Sequence, residues 1–117
     1  MVQIISGINR SLKELFRAAA SGWQSGRGNK LFRQRKYTKA LDRYLCALGN
    51  TDNKGSEAIL RQNIAATYEQ LGKYDEALKN ARISSDLYEQ TEIDSPQINE
   101  AKTRLIEMIR RLERPWT

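Results

Sequence analysis

Apolar residues recur every three or four positions over most of the chain, the spacing of one face of an α-helix. Ile8, Leu12, Leu15, Phe16, Ala19 and Trp23 form the first stripe, with Trp23 read as a core residue. Ser11-Leu12-Lys13-Glu14 has the form of a capping box, in which the first and last side chains satisfy each other's backbone N–H groups. This helix either continues through Gly26 and Gly28 to about Gln34 or bends at those glycines, each of which costs about 1 kcal/mol relative to alanine. Tyr37, Ala40, Leu41, Tyr44 and Leu48 give a second stripe, and Cys46 is read with it as a buried, inert thiol. The run Gly49–Gly55 predicts a loop. A third helix is expected from about Ser56, acting as its cap, to Leu71, where Gly72 stops it. A fourth spans about Tyr74 to Glu89. Thr91 to Ser95 reads as a polar turn, and Pro96 suits the first position of a last helix. That helix carries Ile98, Ala101, Leu105, Met108, Ile109 and Leu112 on one side and ends by Pro115. The fold class is therefore all-α, with five or six helices in antiparallel pairs joined by short connections.

Composition narrows the chemistry. The 117 residues suffice for one domain, and 39% hydrophobic with 29% charged residues is ordinary for a folded chain. No apolar run is long enough to cross a bilayer. The chain has no histidine and a single cysteine, which leaves no disulfide framework, no cysteine-built zinc site and no histidine base or metal ligand. No carboxylate pair with a supporting constellation stands out, so the expectation is a protein that is not an enzyme and uses no cofactor. The lone cysteine fits a reducing, cytoplasmic compartment. The Arg- and Ser-rich, acid-poor start also has the look of a mitochondrial transit segment, the alternative localisation.

Charge is lopsided. Residues 1–41 carry nine basic side chains against Glu14 alone, a net +8 that leaves −2 for the remainder of a chain whose total is +6. An excess of this kind favours an acidic partner: an acidic peptide, RNA or an anionic surface. The aromatics of this half, Phe16, Trp23, Phe32 and Tyr37, stand at core spacing and not as a stacking platform, which argues against nucleic acid.

One pattern repeats. Lys36-Tyr37-Thr38-Lys39-Ala40-Leu41 recurs as Lys73-Tyr74-Asp75-Glu76-Ala77-Leu78, an offset of 37 residues. In that register Gly28, Leu31, Tyr37, Ala40 and Tyr44 align with Ala65, Tyr68, Tyr74, Ala77 and Ala81, and Arg35 stands where the second copy has Gly72. Small residues let two helices approach closely, and large ones fill the gaps beside them. These positions resemble the tetratricopeptide repeat, with one repeat at about 21–54 and another at 58–91. The segment 1–20 would be an N-terminal capping helix and 96–114 a C-terminal one. The passage from Asp86 to Leu105 also resembles the linker and next first helix of kinesin-light-chain-type repeats.

The resemblance implies a helical-pair solenoid whose first helices line a groove for an extended peptide or a partner helix. Ser25, Asn29, Phe32 and Arg33 would face it from the first repeat, and Gln62, Asn63, Ala66, Glu69 and Gln70 from the second. Arg104 would contribute from the last helix. "GNKLF" and "RQNIAATY" further resemble small co-chaperones that bind the acidic C-terminus of heat-shock chaperones. Their clamp comprises two asparagines, two lysines and an arginine, which grip carboxylates by charge-assisted bonds. Asn29 and Asn63 fall at the asparagine positions and Arg104 at the arginine, but Ser25 and Glu100 fall at the lysines, so the clamp is partial. The implied partner is another protein, through an extended or acidic peptide that includes the chaperone tail as one candidate. RNA or anionic-surface binding and self-assembly into a homo-oligomer are the alternatives.

Overall fold

The computed structural model describes residues 20–114. The expected first cap at Ser11, the stripe from Ile8 to Ala19, the transit-like segment, Pro115 and Trp116 lie outside the described residues. Five helices and no strand occur among the described residues: α1 over 20–33, α2 Tyr37–Gly49, α3 Lys54–Gln70, α4 Tyr74–Gln90 and α5 Pro96–Leu112. α1 runs unbroken through Gly26 and Gly28.

Helix boundaries follow local chemistry. α3 starts two residues before Ser56, because Asn53 is the cap and its side-chain oxygen accepts the Ser56 N–H at 3.0 Å. Consequently α2 extends through Gly49, and the loop shrinks to residues 50–53. At α5, Ser95 accepts the Ile98 N–H at 3.2 Å, and Pro96 follows with the preset φ a first turn needs.

The turns α1–α2 and α3–α4 are near copies. Lys36 N–H donates to Leu31 C=O and Arg35 N–H to Phe32 C=O, both at 2.9 Å; Lys73 N–H donates to Tyr68 C=O at 2.9 Å and Gly72 N–H to Glu69 C=O at 3.1 Å. This double bond pattern closes a helix when the residue past its end is left-handed. Gly72 meets that demand at φ 76°, and Arg35 meets it at φ 61° despite its side chain. Lys36 and Lys73 then open the next helix with φ −92° each and ψ of 70° and 73°.

α3 is the central element. Leu60 and Ile64 join Ala40, Leu41, Tyr44 and Ala47 in one apolar cluster. Ala58 and Ala65 join Ala77, Ala81, Tyr88, Leu105, Met108 and Leu112 in the other. Tyr68 packs against both. Alanines at the α3–α4 contact permit close approach, and Tyr88, Leu105 and Met108 fill the volume beyond. In α1–α2 the same closeness comes from Gly28, where an added Cβ would lie only 2.7 Å from Tyr44 Cε1.

Three side chains differ from the sequence expectation. Trp23 is not core: it is 58% exposed, and the Arg27 guanidinium lies 4.9 Å from its ring centroid. The buried face of α1 is carried by Ser21 and Gly28, so the bulky residue at Trp23 falls off it. Cys46 is exposed, because the face of α2 that packs inward is Ala40, Leu41, Tyr44 and Ala47. Tyr74, read as a gap filler like Tyr37, is 41% exposed.

Candidate functional site

α1 and α3 lie side by side and enclose a cleft of about 180 Å³ lined by Asn29, Phe32, Arg33, Tyr44, Asn63 and Ala66. Five of these were named from sequence. Asn29, Phe32 and Arg33 are brought together because they follow one another within a turn of α1, and Asn63 and Ala66 because they are three residues apart on α3. Tyr44 comes from α2, reaching through the gap that Gly28 leaves.

The polar groups of the cleft differ in what they have left to offer. Asn29 Oδ1 accepts a hydrogen bond from the Tyr44 hydroxyl, which leaves the Asn29 amide NH₂ for a ligand. The Asn63 side chain forms no hydrogen bond among the described residues; only its backbone carbonyl is used, by Thr67 Oγ1 at 2.7 Å. Arg33 is exposed and has no ion pair among the described residues. Burial pushes the Tyr44 phenol up to about 12, against a smaller opposing pull from the Arg33 charge. Tyr44 therefore stays a neutral donor, held to Asn29. Phe32 is half-buried and edge-on to Tyr37, with ring centroids 5.2 Å apart. The cleft thus presents amides, a guanidinium with no ion pair among the described residues, and an apolar wall. It can accept a carboxylate or backbone carbonyls beside an apolar side chain.

The α1 side of the cleft carries one sign. Residues 20–41 contain Arg27, Lys30, Arg33, Arg35, Lys36 and Lys39 and no acidic residue, and all six cations are exposed.

The other sequence-named residues are placed elsewhere. Gln62 is absorbed by packing: its Nε2 donates to Ala101 C=O at 2.8 Å and its Oε1 accepts from Tyr88 Oη at 2.9 Å, tying α3 to α4 and α5. Glu69 accepts two bonds of 2.8 Å from Arg111. This bidentate pair pushes the Arg111 guanidinium further up. Arg104 is exposed and pairs with Glu100 at 2.8 Å. Gln70 is exposed at the end of α3 and lines no part of the cleft. Ser25 lines a second, larger cleft one turn further along α1. Tyr44 is the cleft residue that sequence reasoning placed only in the core; the available signal was Gly28, whose missing side chain implies something large across from it.

No group of three or more His, Cys, Asp or Glu side chains is gathered into a metal-binding arrangement among the described residues. No described helix is long and apolar enough to cross a membrane.

Paired helices with a basic, amide-lined cleft between α1 and α3 define this chain structurally. By family it belongs to the group described as a domain of unknown function (DUF6340), which matches residues 26–113. That span takes in the cleft residues, from Asn29 to Ala66. No curated protein and no solved structure matches the chain.

Proposed function

We propose that this chain is a non-catalytic adaptor of the tetratricopeptide type, which holds an extended, acidic peptide segment of a partner protein in the α1–α3 cleft. The repeat assignment is supported by the 37-residue offset, which relates both turns bond for bond. The binding role rests on one observation: the Asn63 amide and the Arg33 guanidinium, neither paired among the described residues, open into the same small cleft. A peptide carboxylate would meet Arg33, and main-chain carbonyls would meet the Asn29 and Asn63 amides. A cleft of this size supports modest affinity, on the order of micromolar.

An internal acidic segment suits the site better than a chain terminus. The two clamp-lysine positions hold Ser25 and Glu100, and Glu100 already occupies Arg104. The test is affinity capture and fluorescence anisotropy with acidic peptides, comparing wild type with Asn63→Ala and Arg33→Glu. Both variants keep the wild-type circular dichroism; Arg33→Glu loses about tenfold or more in affinity, since a charge-assisted hydrogen bond is worth roughly 1.5–3 kcal/mol, and Asn63→Ala loses about two- to tenfold, for a neutral one of roughly 0.5–1.5 kcal/mol. Unchanged binding by both variants sinks the proposal.

A further inference from the structure

The second cleft, about 330 Å³, sits between the start of the described part of α1, the α2–α3 loop and the first turns of α3. Ser25 and Ile59 line it, whereas Asn29 and Asn63 line the first cleft; each pair is four residues apart on its own helix. The two clefts are therefore consecutive along one groove.

The polar groups of this second cleft are mostly spent. Ser21 Oγ donates to Ala47 C=O at 3.0 Å, Asn50 Nδ2 to Cys46 C=O at 2.8 Å, and Asn53 Oδ1 accepts the Ser56 N–H at 3.0 Å. Beside them Ile59 and Leu60 supply the aliphatic surface of the lining, and Ser25 and Ser56 add hydroxyls. Ile59 is 41% exposed although it belongs to a helix packed on both sides. Gly22 has open space where a Cβ would stand. A concave surface whose polar atoms are satisfied internally gains most by covering its apolar atoms. A negative side chain is favoured at Arg33.

We infer that the groove recognises a two-point motif: an acidic residue at Arg33 and a bulky apolar residue of the same peptide in the cleft at Gly22 and Ile59. This rests on the peptide-binding reading above and adds the second anchor and its spacing. The centres of the two linings are offset by about six residues on α3 and eight to nine on α1, or roughly 9–13 Å at 1.5 Å per helical residue. An extended peptide rises about 3.3 Å per residue, so the two anchors stand about three or four residues apart. The exposed cations of α1 select the acidic partner.

The experiment is an array of immobilised nonapeptides probed with the full chain. Each carries one fixed Glu in a Ser/Ala background, and a single Leu is walked along the other positions. Binding is expected to need the Glu and to peak at least fivefold when the Leu stands three or four residues from it. Gly22→Leu fills the second cleft from within a helix that favours leucine over glycine, so the fold is retained. It flattens the Leu profile and keeps the Glu dependence. Ile59→Ser lowers the same peak, while Arg33→Glu removes the Glu dependence. A flat Leu profile in the wild type, with Glu dependence intact, overturns the second anchor and leaves the peptide-binding reading standing. Absence of binding to every peptide overturns both.

Discussion

In α1–α2 the first helix supplies the hydroxyl: Ser21 donates to the carbonyl of Ala47 at 3.0 Å. In α3–α4 the second helix supplies it: Ser84 donates to the carbonyl of Ala58 at 2.6 Å. Ser21 and Ala58 are equivalent in the 37-residue register, as are Ala47 and Ser84. The next layer is exchanged as well. Arg43 on α2 bonds Gln24 on α1 at 3.4 Å, whereas Arg61 on α3 bonds Asn80 on α4 at 2.9 Å. One layer further, Gly28 faces Tyr44, while its counterpart is Ala65 with Ala81. What the interface keeps is one donor and one acceptor, or one close approach, per layer. Which helix carries which member is free.

The layers where the pairs differ are the ones to perturb. Tyr44 is 2% exposed, and Tyr44→Ala should cost about 3 kcal/mol or more through the cavity it leaves. Gly28→Ala should cost about 1–3 kcal/mol, because the new methyl meets the Tyr44 ring. The double variant rebuilds the Ala65–Ala81 pair, and its cost in urea unfolding should fall below the sum of the two by about 1 kcal/mol or more. Strict additivity would break the equivalence of the two layers.

The turns come next. Gly72→Arg should destabilise by about 1–2 kcal/mol, the cost of left-handed backbone for a residue with a Cβ, and Arg35→Gly should recover about as much. Thermal melts of the two variants must move in opposite directions. Ser21→Ala should cost about 1 kcal/mol, and adding Ala47→Ser should restore most of it by rebuilding the bond in the α3–α4 sense. Failure of this rescue would show that the two pairs are not interchangeable layer by layer. The smallest effect is at the helix starts. α4 has Asp75 and Glu76 in its first turn, while α2 has no acid there. Lys39→Glu should therefore stabilise by about 0.3–1 kcal/mol, read as a small rise in urea midpoint that fades with salt.

The helices and their order were legible because the chain marks its breaks: Gly72 for the stop of α3, Ser95-Pro96 for the start of α5, and alternating apolar stripes between. Asn29 and Asn63 were paired from the resemblance to the clamp segments and not from the repeat register, which sets Asn29 against Ala66. Hydrophobicity misled where a helix buries small polar residues. Among the described residues Ser21 and Gly28 define the inner face of α1, and neither scores as apolar, so Trp23 was counted as core although it points away from that face. Cys46 erred for the same reason, as its neighbours Ala40, Tyr44 and Ala47 hold the face that packs inward. The loss of Gln62 and Glu69 from the groove was not readable either. Their partners, Ala101 and Arg111, lie on α5, 39 and 42 residues away, and that pairing needs the tertiary arrangement.

The exchange of partners has a consequence for how the chain finds its register while folding. Repeated helices can mispair, one copy taking the place of its twin. Were α3 to settle on α2 where α1 belongs, Ala58 would face Ala47 with no hydroxyl between them. Arg61 would meet Arg43, two guanidiniums together, and the methyl of Ala65 would press on the ring of Tyr44. Were α1 to settle on α4, Ser21 would meet Ser84 and Gly28 would leave a void against Ala81. The slip of α3 onto α2 is thus rejected at all three layers, and that of α1 onto α4 is rejected at the void between Gly28 and Ala81.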